Sequence, residues 1–206
     1  MTAGAVARRP RRSAAETQAE ILAKAEELFR TAGYAKTSIA DIAAALGMSP
    51  ANIFKHFASK MALAEAISTI HVGLIEQALA AIPASLAADE RLRRFAESML
   101  ASHLRNMEGN PYVFELVILT MELQTEGIRA FHAWLNGALL AIVEAGVAEG
   151  VFVVDDPETT ARVLLTCLEG ATHPLLIRHL DRAVLAERLD EMIRFLIASL
   201  QGSLAK

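Results

Sequence analysis

Apolar residues recur at helical spacing along almost the whole chain, and the alternation typical of strands is nearly absent. Start and stop signals divide this pattern, because capping residues such as Ser13 and Ser49 precede apolar runs, and Gly33 and Pro83 follow them. The pattern predicts nine helices, at residues 14–32, 39–46, 50–57, 59–82, 89–107, 111–123, 126–149, 157–180 and 183–200. We therefore expect an all-α fold.

The second and third predicted helices are short and lie close together in the chain. Ser38 and Asp41 have the spacing of a capping box before the second helix, and Gly47 ends it. Ser49 and Pro50 are a natural N-cap and first residue for the third helix. Two short helices joined by a glycine-containing turn form the helix-turn-helix arrangement, whose second helix enters the major groove of DNA.

The residues of the third helix divide into a packing face and an outward face. At about 100° per residue, Ile53 and Phe57 point one way, while Ala51, Asn52 and Lys55 point the other way. The outward side chains suit base recognition, because asparagine can pair with adenine and lysine can donate to guanine. A buried helical hairpin with a solvated polar edge has the same spacing, so the pattern alone leaves both interpretations open.

Composition changes this picture little. With 206 residues, 53% of them hydrophobic, the chain can bury a sizeable core. The single cysteine, Cys167, excludes an intramolecular disulfide and a cysteine-rich zinc site, and it favours the cytoplasm. The arginine-rich start has no apolar segment after it, unlike a secretory signal, and the longest uncharged run, residues 130–143, is shorter than a membrane span.

Charge is distributed unevenly along the chain. Residues 1–60 hold nine Lys and Arg against five Asp and Glu, whereas the remainder holds 11 against 19. Four of the nine positive charges lie in the sequence Arg-Arg-Pro-Arg-Arg, within a basic flexible arm at residues 1–13. The split indicates that the N-terminal part meets a polyanion, although a basic tail alone would be a weak signal.

Several motifs of the N-terminal part occur together. They are Leu-Phe-x-x-x-Gly-Tyr in the first helix, Thr-Ser-Ile-x-x-Ile-Ala in the second, a Gly-Met-Ser turn, and the ending His-Phe-Ala-Ser-Lys. In this combination residues 17–66 resemble the DNA-binding domain of the TetR family of bacterial transcriptional regulators. The resemblance implies DNA contacts from Thr37, Ser38, Ser49, Pro50, Ala51, Asn52, Phe54, Lys55, His56 and Lys60.

The resemblance also implies which part of the DNA each of these residues contacts. Thr37 and Ser38 would touch phosphate, Asn52 and Lys55 would face bases or backbone in the major groove, and His56 and Lys60 would grip phosphate. One position departs from the family pattern, because Phe54 stands where a tyrosine is usual. The missing hydroxyl puts that phosphate contact in doubt, and a contact of the ring with a sugar or a methyl group is expected instead.

Beyond residue 82 the resemblance is to the general architecture of the family. It implies a helix-turn-helix domain at residues 14–58 and an effector-binding and dimerisation domain at residues 59–206. The last two helices would form a four-helix dimer interface, or they would simply close the core of one chain. The expected interface residues are Leu164, Leu168, Leu175, Leu185, Leu189, Met192, Ile193, Leu196 and Leu200.

An effector pocket is expected among the apolar and aromatic residues of the C-terminal part, although the same residues could be ordinary packing. The candidates are Met99, His103, Met107, Tyr112, Phe114, Met121, Phe131, Trp134 and Cys167. Glu169 and His173 have a spacing that could hold a metal, but two ligands without a third favour a solvated pair. We therefore expect neither a metal nor a cofactor.

The function expected from the sequence is a ligand-responsive transcriptional regulator, by family resemblance a repressor, that binds a palindromic operator in double-stranded DNA as a homodimer. A small-molecule effector would release it. An architectural protein that binds DNA without an effector is an alternative. An enzyme is a weaker one, because the sequence contains no His-Glu-x-x-His, no Gly-x-Ser-x-Gly and no glycine-rich phosphate loop.

Overall fold

The computed structural model describes residues 13–202, and these residues form ten helices and no strand. The helices are α1 (Ala14–Ala32), α2 (Ile39–Leu46), α3 (Pro50–Phe54), α4 (Lys60–Ala80), α5 (Ala88–Gly109), α6 (Pro111–Glu122), α7 (Glu126–Ala148), α8 (Pro157–Thr172), α9 (Pro174–His179) and α10 (Arg182–Leu200). The all-α prediction is confirmed. The helix expected at 157–180 is divided at Pro174, because proline lacks the N–H that would continue the helical hydrogen bonding.

The helix starts that the sequence indicated are confirmed at the N-terminal end. Ser13 and Ser38 each take part in a complete capping box, with Glu16 and Asp41 respectively. The hydroxyl of Ser59 accepts from the backbone N–H of Ala62 at 3.0 Å in the first turn of α4. These bonds satisfy backbone N–H groups that have no partner within the helix.

The chain divides into two compact units between Leu63 and Ala64. In the first unit α1 packs on α2 and α2 packs on α3. Its core contains Ile21, Phe29, Ile42 and Ile53, none of which has any exposed surface. The domain boundary expected after residue 58 is still a prediction, and the basic arm at residues 1–13 lies outside the described residues except for Ser13.

The second unit is built around α5, α7, α8 and α10, with α7 and α10 both packed on α8. Of the described residues, α7 is the one helix long and apolar enough to cross a membrane by length and composition. The buried stripe of Ile128, Phe131, Leu135 and Leu139 accounts for part of that apolar character, because it faces the core of this unit.

A tight turn follows α7 and fixes the start of the next segment. The carbonyl oxygen of Gly146 accepts hydrogen bonds from the backbone N–H groups of Val151, at 2.9 Å, and Phe152, at 3.0 Å. Gly150, at φ 71°, provides the left-handed residue that the turn requires. The buried ring of Phe152 folds back over Gly146, where a Cβ would lie only 2.0 Å from Cδ2 of the ring.

Candidate nucleic-acid interface and regulatory cavity

Helix α3 is shorter than the sequence indicated, ending at Phe54 rather than at residue 57. Its start is as expected, because the Ser49 hydroxyl accepts from the backbone N–H of Asn52 at 3.3 Å. Its end is set by the carbonyl oxygen of Ile53, which accepts from the N–H groups of both His56 and Phe57 at 2.9 Å. Lys55 and His56 therefore lie in a turn that follows the helix.

The two faces predicted for α3 differ in exposure as expected. Ile53 has no exposed surface, whereas Ala51 and Lys55 are exposed and Asn52 is partly exposed. Phe54 is 52% exposed, so this aromatic side chain is on the surface rather than in the core. The ring is therefore available for contact with another molecule.

Seven other positions from the expected DNA-contact set also reach the surface of the first unit. They are Ser38, Ser49, Pro50, Ala51, Asn52, Lys55 and His56, of which Asn52 and His56 are partly exposed. Ser38 is at the start of α2, where its hydroxyl donates to Asp41 Oδ2 at 2.6 Å. This bond and the backbone N–H of Ser38 hold the pKa of the Asp41 carboxyl below its usual range.

Thr37 corrects the expectation of a phosphate contact. It is only 3% exposed, and its hydroxyl donates to the carbonyl oxygen of Gly33 at 2.9 Å. That carbonyl belongs to the segment that follows α1, where backbone acceptors no longer have helical partners. The Thr37 hydroxyl therefore closes the turn between α1 and α2 and is not available to an outside ligand.

Lys60 is partly exposed and makes contacts within the first unit, and its expected phosphate contact stays a prediction. Its ammonium nitrogen, Nζ, donates to the carbonyl oxygens of Tyr34 at 2.9 Å and of Thr37 at 3.0 Å. The same nitrogen lies 4.2 Å from the centre of the Tyr34 ring, within the range of a cation–π interaction. The lysine expected to grip phosphate is thus used inside the first unit, where it joins the start of α4 to the turn after α1.

Replacing Lys60 by alanine is expected to destabilise the first unit by about 2 kcal/mol, because two charge-assisted hydrogen bonds are lost. The control is Lys36→Ala, which removes an exposed lysine from the same turn and should change stability little. Urea unfolding followed by circular dichroism measures both variants. Equal stabilities of the two variants would contradict the internal role assigned to Lys60.

The second unit contains two adjoining cavities. The inner one, of about 20 Å³, is almost wholly apolar, and the outer one, of about 320 Å³, is more polar. Both are lined by Met121, His132, Glu169 and His173, so they meet at these side chains. The inner volume has room for about one water molecule, and the outer one is in the range of small-molecule sites.

Four of the expected pocket residues line the inner cavity, namely Met99, His103, Met121 and Phe131. The other five, Met107, Tyr112, Phe114, Trp134 and Cys167, line neither of the two cavities. Phe114 is buried in the core, and Tyr112 is 42% exposed. Met107, Trp134 and Cys167 are partly buried and pack against the core, so ordinary packing accounts for them.

His132 is a lining residue that the sequence analysis missed. It follows Ile128 by four residues and precedes Leu135 by three, so it lies at the edge of the buried stripe of α7 and is partly exposed. Its Nε2 lies 3.9 Å from Oε1 of Glu169 on α8. The helical spacing from Ile128 was the signal that could have identified it.

His103 is the most deeply buried of the three cavity histidines. Burial lowers its pKa to about 4, and the nearby His173 adds to the lowering by charge repulsion. The ring of His103 is therefore neutral near pH 7. Among the described residues no three His, Cys, Asp or Glu side chains are grouped so that they could hold a metal ion.

The expected dimer interface requires a correction. Seven of its nine residues, Leu164, Leu168, Leu185, Leu189, Ile193, Leu196 and Leu200, are at most 8% exposed within the single chain. They pack in the core of the second unit, which was the alternative that the sequence left open. The apolar side chains that α8 and α10 leave on the surface are different ones, including Val163, 53% exposed, and Phe195, 60% exposed.

Comparisons with known families match both parts of the chain. Residues 21–67 match the family described as "Bacterial regulatory proteins, tetR family". Residues 88–193 match "Tetracyclin repressor-like, C-terminal domain", which is half of the chain. The first match contains α2, α3 and the turn after them, and the second contains most of the cavity-lining residues.

Individual relatives show the same similarity. The regulator TcmR of Streptomyces glaucescens is 28% identical over 149 residues, which is 68% of this chain, and the chain spans only 63% of its length. The regulator PfmR of Thermus thermophilus is 28% identical with a TM-score of 0.57, over 84% of this chain and 97% of that one. A structure from Saccharomonospora viridis in complex with choline is 25% identical with a TM-score of 0.60, over 88% and 94%.

Proposed function

Because the chain belongs to the TetR family of bacterial regulatory proteins, we propose that it is a transcriptional regulator that binds double-stranded DNA through α3. The observation that carries the proposal is the division of this helix. Ile53 is fully buried and anchors it, while Asn52, Phe54 and Lys55 are left at the surface. A small amide, an aromatic ring and a cation on one exposed helix end match the chemistry of base edges, thymine methyl groups and phosphates.

In this proposal Asn52 and Lys55 contact bases, and Phe54 contacts a sugar or a methyl group by van der Waals packing. Ser38, Ser49 and His56 contact phosphate. The backbone N–H groups at the start of α2 can share an anion with Ser38, but the ionised Asp41 beside that hydroxyl limits how closely a phosphate approaches. Base recognition therefore depends mainly on α3 and the turn that follows it.

Replacing Asn52 by alanine is expected to weaken binding to the preferred sequence by about 1–3 kcal/mol and to change binding to random DNA much less. The physical reason is that a bidentate amide contact is made only to the correct base. Gln77→Ala, which removes an exposed amide from the second unit, is the matched control. Fluorescence anisotropy with labelled duplexes measures both, and equal losses on both kinds of DNA would reassign Asn52 to the backbone.

The proposed regulator acts as a homodimer on a palindromic operator in the cytoplasm. Two copies of α3 related by a two-fold axis can read successive turns of the major groove about 34–36 Å apart. We assign the interface to the exposed apolar side chains of α8 and α10 around Val163 and Phe195, since side chains of this kind are otherwise unfavourable in water. The proposed interface thus consists of surface residues and does not include the leucines that are buried in the core.

Phe195→Arg is expected to shift the protein from dimer to monomer and to weaken operator binding at least about tenfold, because a charge would be buried at the interface. Leu123→Arg changes a comparably exposed apolar residue outside α8 and α10 and should leave the dimer intact. Sedimentation velocity gives the mass of each variant. A dimeric Phe195→Arg protein would place the interface elsewhere.

The regulator is proposed to be a repressor that is released by a small-molecule effector bound at the two adjoining cavities. Release requires only a difference in affinity. The effector must bind more tightly to a dimer whose two α3 helices are not spaced for DNA than to the dimer that binds DNA. The similar protein from Saccharomonospora viridis holds choline, which supports a small organic effector for a protein of this fold.

Selection of bound duplexes from a random pool, with and without small molecules from cell extract, tests the proposal. An enriched palindrome that is lost on adding the extract supports the effector-responsive regulator. Binding to all sequences alike supports an architectural DNA-binding protein, and no binding at low salt excludes both. The buried, neutral His103 and the absence of nucleophile motifs give no support to an enzyme.

A further inference from the structure

The linings of the two adjoining cavities contain carboxylates but no lysine or arginine. Glu169 lines both cavities and Glu122 lines the outer one. The remaining titratable side chains of the two linings are His103, His132 and His173. When these histidines are neutral, the net charge of the lining is negative, so the space attracts a cation and repels an anion.

His103 supplies an independent indication of a ligand. It lines the inner cavity and is 5% exposed, and its imidazole ring makes no hydrogen bond to another residue in the described range 13–202. A buried imidazole normally finds a partner for at least one ring nitrogen. Neutral imidazole carries one donor and one acceptor, so the ring can bond a ligand atom without adding a positive charge.

His173 can also form a hydrogen bond with such a ligand. Its Nδ1 accepts from the backbone N–H of Leu175 at 3.2 Å, and it caps the first turn of α9. In the neutral ring the proton is then on Nε2, so this nitrogen is a donor. His132 is 3.9 Å from Glu169, which is longer than a hydrogen bond. The carboxylate of Glu169 therefore keeps the capacity to accept from a ligand.

The apolar parts of the lining determine the rest of the ligand. Ile118, Met121 and Leu175 line the outer cavity, and Phe131 and Leu135 line the inner one. Met121 lines both cavities, and its polarisable side chain favours contact with an apolar chain. The outer cavity, of about 320 Å³, has room for a small drug-sized molecule.

We propose that the two adjoining cavities bind an organic cation, a protonated or quaternary amine on an apolar body, with the ammonium group beside Glu169 and the apolar body in the outer cavity against Met121 and Ile118. This inference rests on the proposed function, because it names the chemical class of the effector. An anionic ligand would meet Glu169 and Glu122 without a compensating cation in the lining. A neutral ligand would fill the space but would gain nothing from the negative charge of Glu169.

Three probes that share one apolar body test the sign of the charge. They are 4-phenylbutylamine, 4-phenylbutanol and 4-phenylbutyrate, titrated into the full chain by isothermal calorimetry at slightly alkaline pH. The amine is expected to bind about tenfold more tightly than the alcohol, and the carboxylate is expected not to bind at millimolar concentration. Binding of the carboxylate as tight as that of the amine, or no binding of the amine, would overturn the proposal.

Two variants test whether the ammonium group of the ligand lies beside Glu169. Glu169→Gln should remove the preference for the amine over the alcohol and leave the affinity for the alcohol unchanged. Glu187→Gln changes an exposed glutamate of α10 outside both linings and should retain the preference. If Glu169→Gln keeps the full preference, the ammonium group is not beside that carboxylate and the proposal fails.

The two proposals fail in different experiments. Sequence-selective DNA binding without any binding of the amine would overturn the organic-cation site and leave the regulator intact. Binding of the amine by a protein that binds no DNA at low salt would overturn the regulator instead. A regulator of the proposed kind should also lose operator affinity when the amine is added, and the Glu169→Gln variant should not.

Discussion

Lowering the pH from about 6.5 to about 4 is expected to remove up to about 3 kcal/mol of stability from the second unit through His103. Burial, aided by repulsion from His173, lowers the pKa of this histidine to about 4 in the folded protein. In the unfolded chain the ring titrates near its ordinary pKa of about 6.5. Between these two values the unfolded chain binds the additional proton, so falling pH favours unfolding.

The effect of His103 on stability has a defined dependence on pH. The contribution is fully present above the pKa of the unfolded chain and is lost progressively until the pKa of the folded protein is reached. Urea midpoints measured across this range should fall in the natural protein and change less in His103→Leu. His179→Leu, which removes an exposed histidine of α9, is the control and should retain the slope. The same slope in His103→Leu and in the natural protein would contradict the prediction.

Gly146→Ala is expected to destabilise the second unit by about 3 kcal/mol. A Cβ at this position would lie 2.0 Å from Cδ2 and 2.5 Å from Cε2 of Phe152, far inside van der Waals contact. The ring of Phe152 is only 3% exposed, so it cannot move outward without losing its own packing. The backbone bonds from Val151 and Phe152 to the Gly146 carbonyl hold the two segments together.

Gly137→Ala is the matched control on the same helix. A Cβ there meets nothing within 4 Å, so alanine should stabilise α7 by about 1 kcal/mol. Thermal unfolding of both variants compares the two glycines directly. In a Phe152→Ala background the Gly146→Ala change should cost little, since the clash is gone. A full loss in that background would assign the effect to a different cause.

The helix positions could be predicted from the sequence because their signals are local. Ser13, Ser38, Ser49 and Ser59 all cap the helices that they precede. The end of α3 could not be predicted, because it depends on Ile53 accepting two hydrogen bonds from the turn that follows. The division at Pro174 was available in the sequence, since proline disrupts a helix interior.

Polar residues of the site were harder to assign. Thr37 and Lys60 carry the same hydrogen-bonding groups whether they face inward or outward, and their spacing does not distinguish the two. The structure shows both turned toward backbone carbonyls of the first unit. The explanation is that backbone carbonyl oxygens after α1 have no helical hydrogen-bond partner. The sequence does not show where the chain folds back on itself.

Apolar side chains of α8 and α10 gave a comparable difficulty. Periodicity identifies the most apolar stripe, and the stripe of Leu185, Leu189 and Ile193 closes the core of its own chain. The apolar side chains that α8 and α10 leave exposed are less regular, so Phe195 was not predicted. The cavity depends on where packing is incomplete, which no spacing of residues reveals. The spacing of His132 from Ile128 indicated only that this residue lies toward the core side of α7.

The half-exposed ring of Phe54 affects the water around α3. Water next to an apolar ring is released when the ring is covered, and this contribution is independent of counterions. In the proposed complex with DNA, the contacts of charged groups weaken as salt rises, whereas the contribution of Phe54 does not weaken in this way. In a tyrosine at this position the hydroxyl would keep part of that water. Operator binding by the proposed regulator should therefore retain a hydrophobic component, with a negative change in heat capacity, at ionic strengths where the contact of Lys55 is screened.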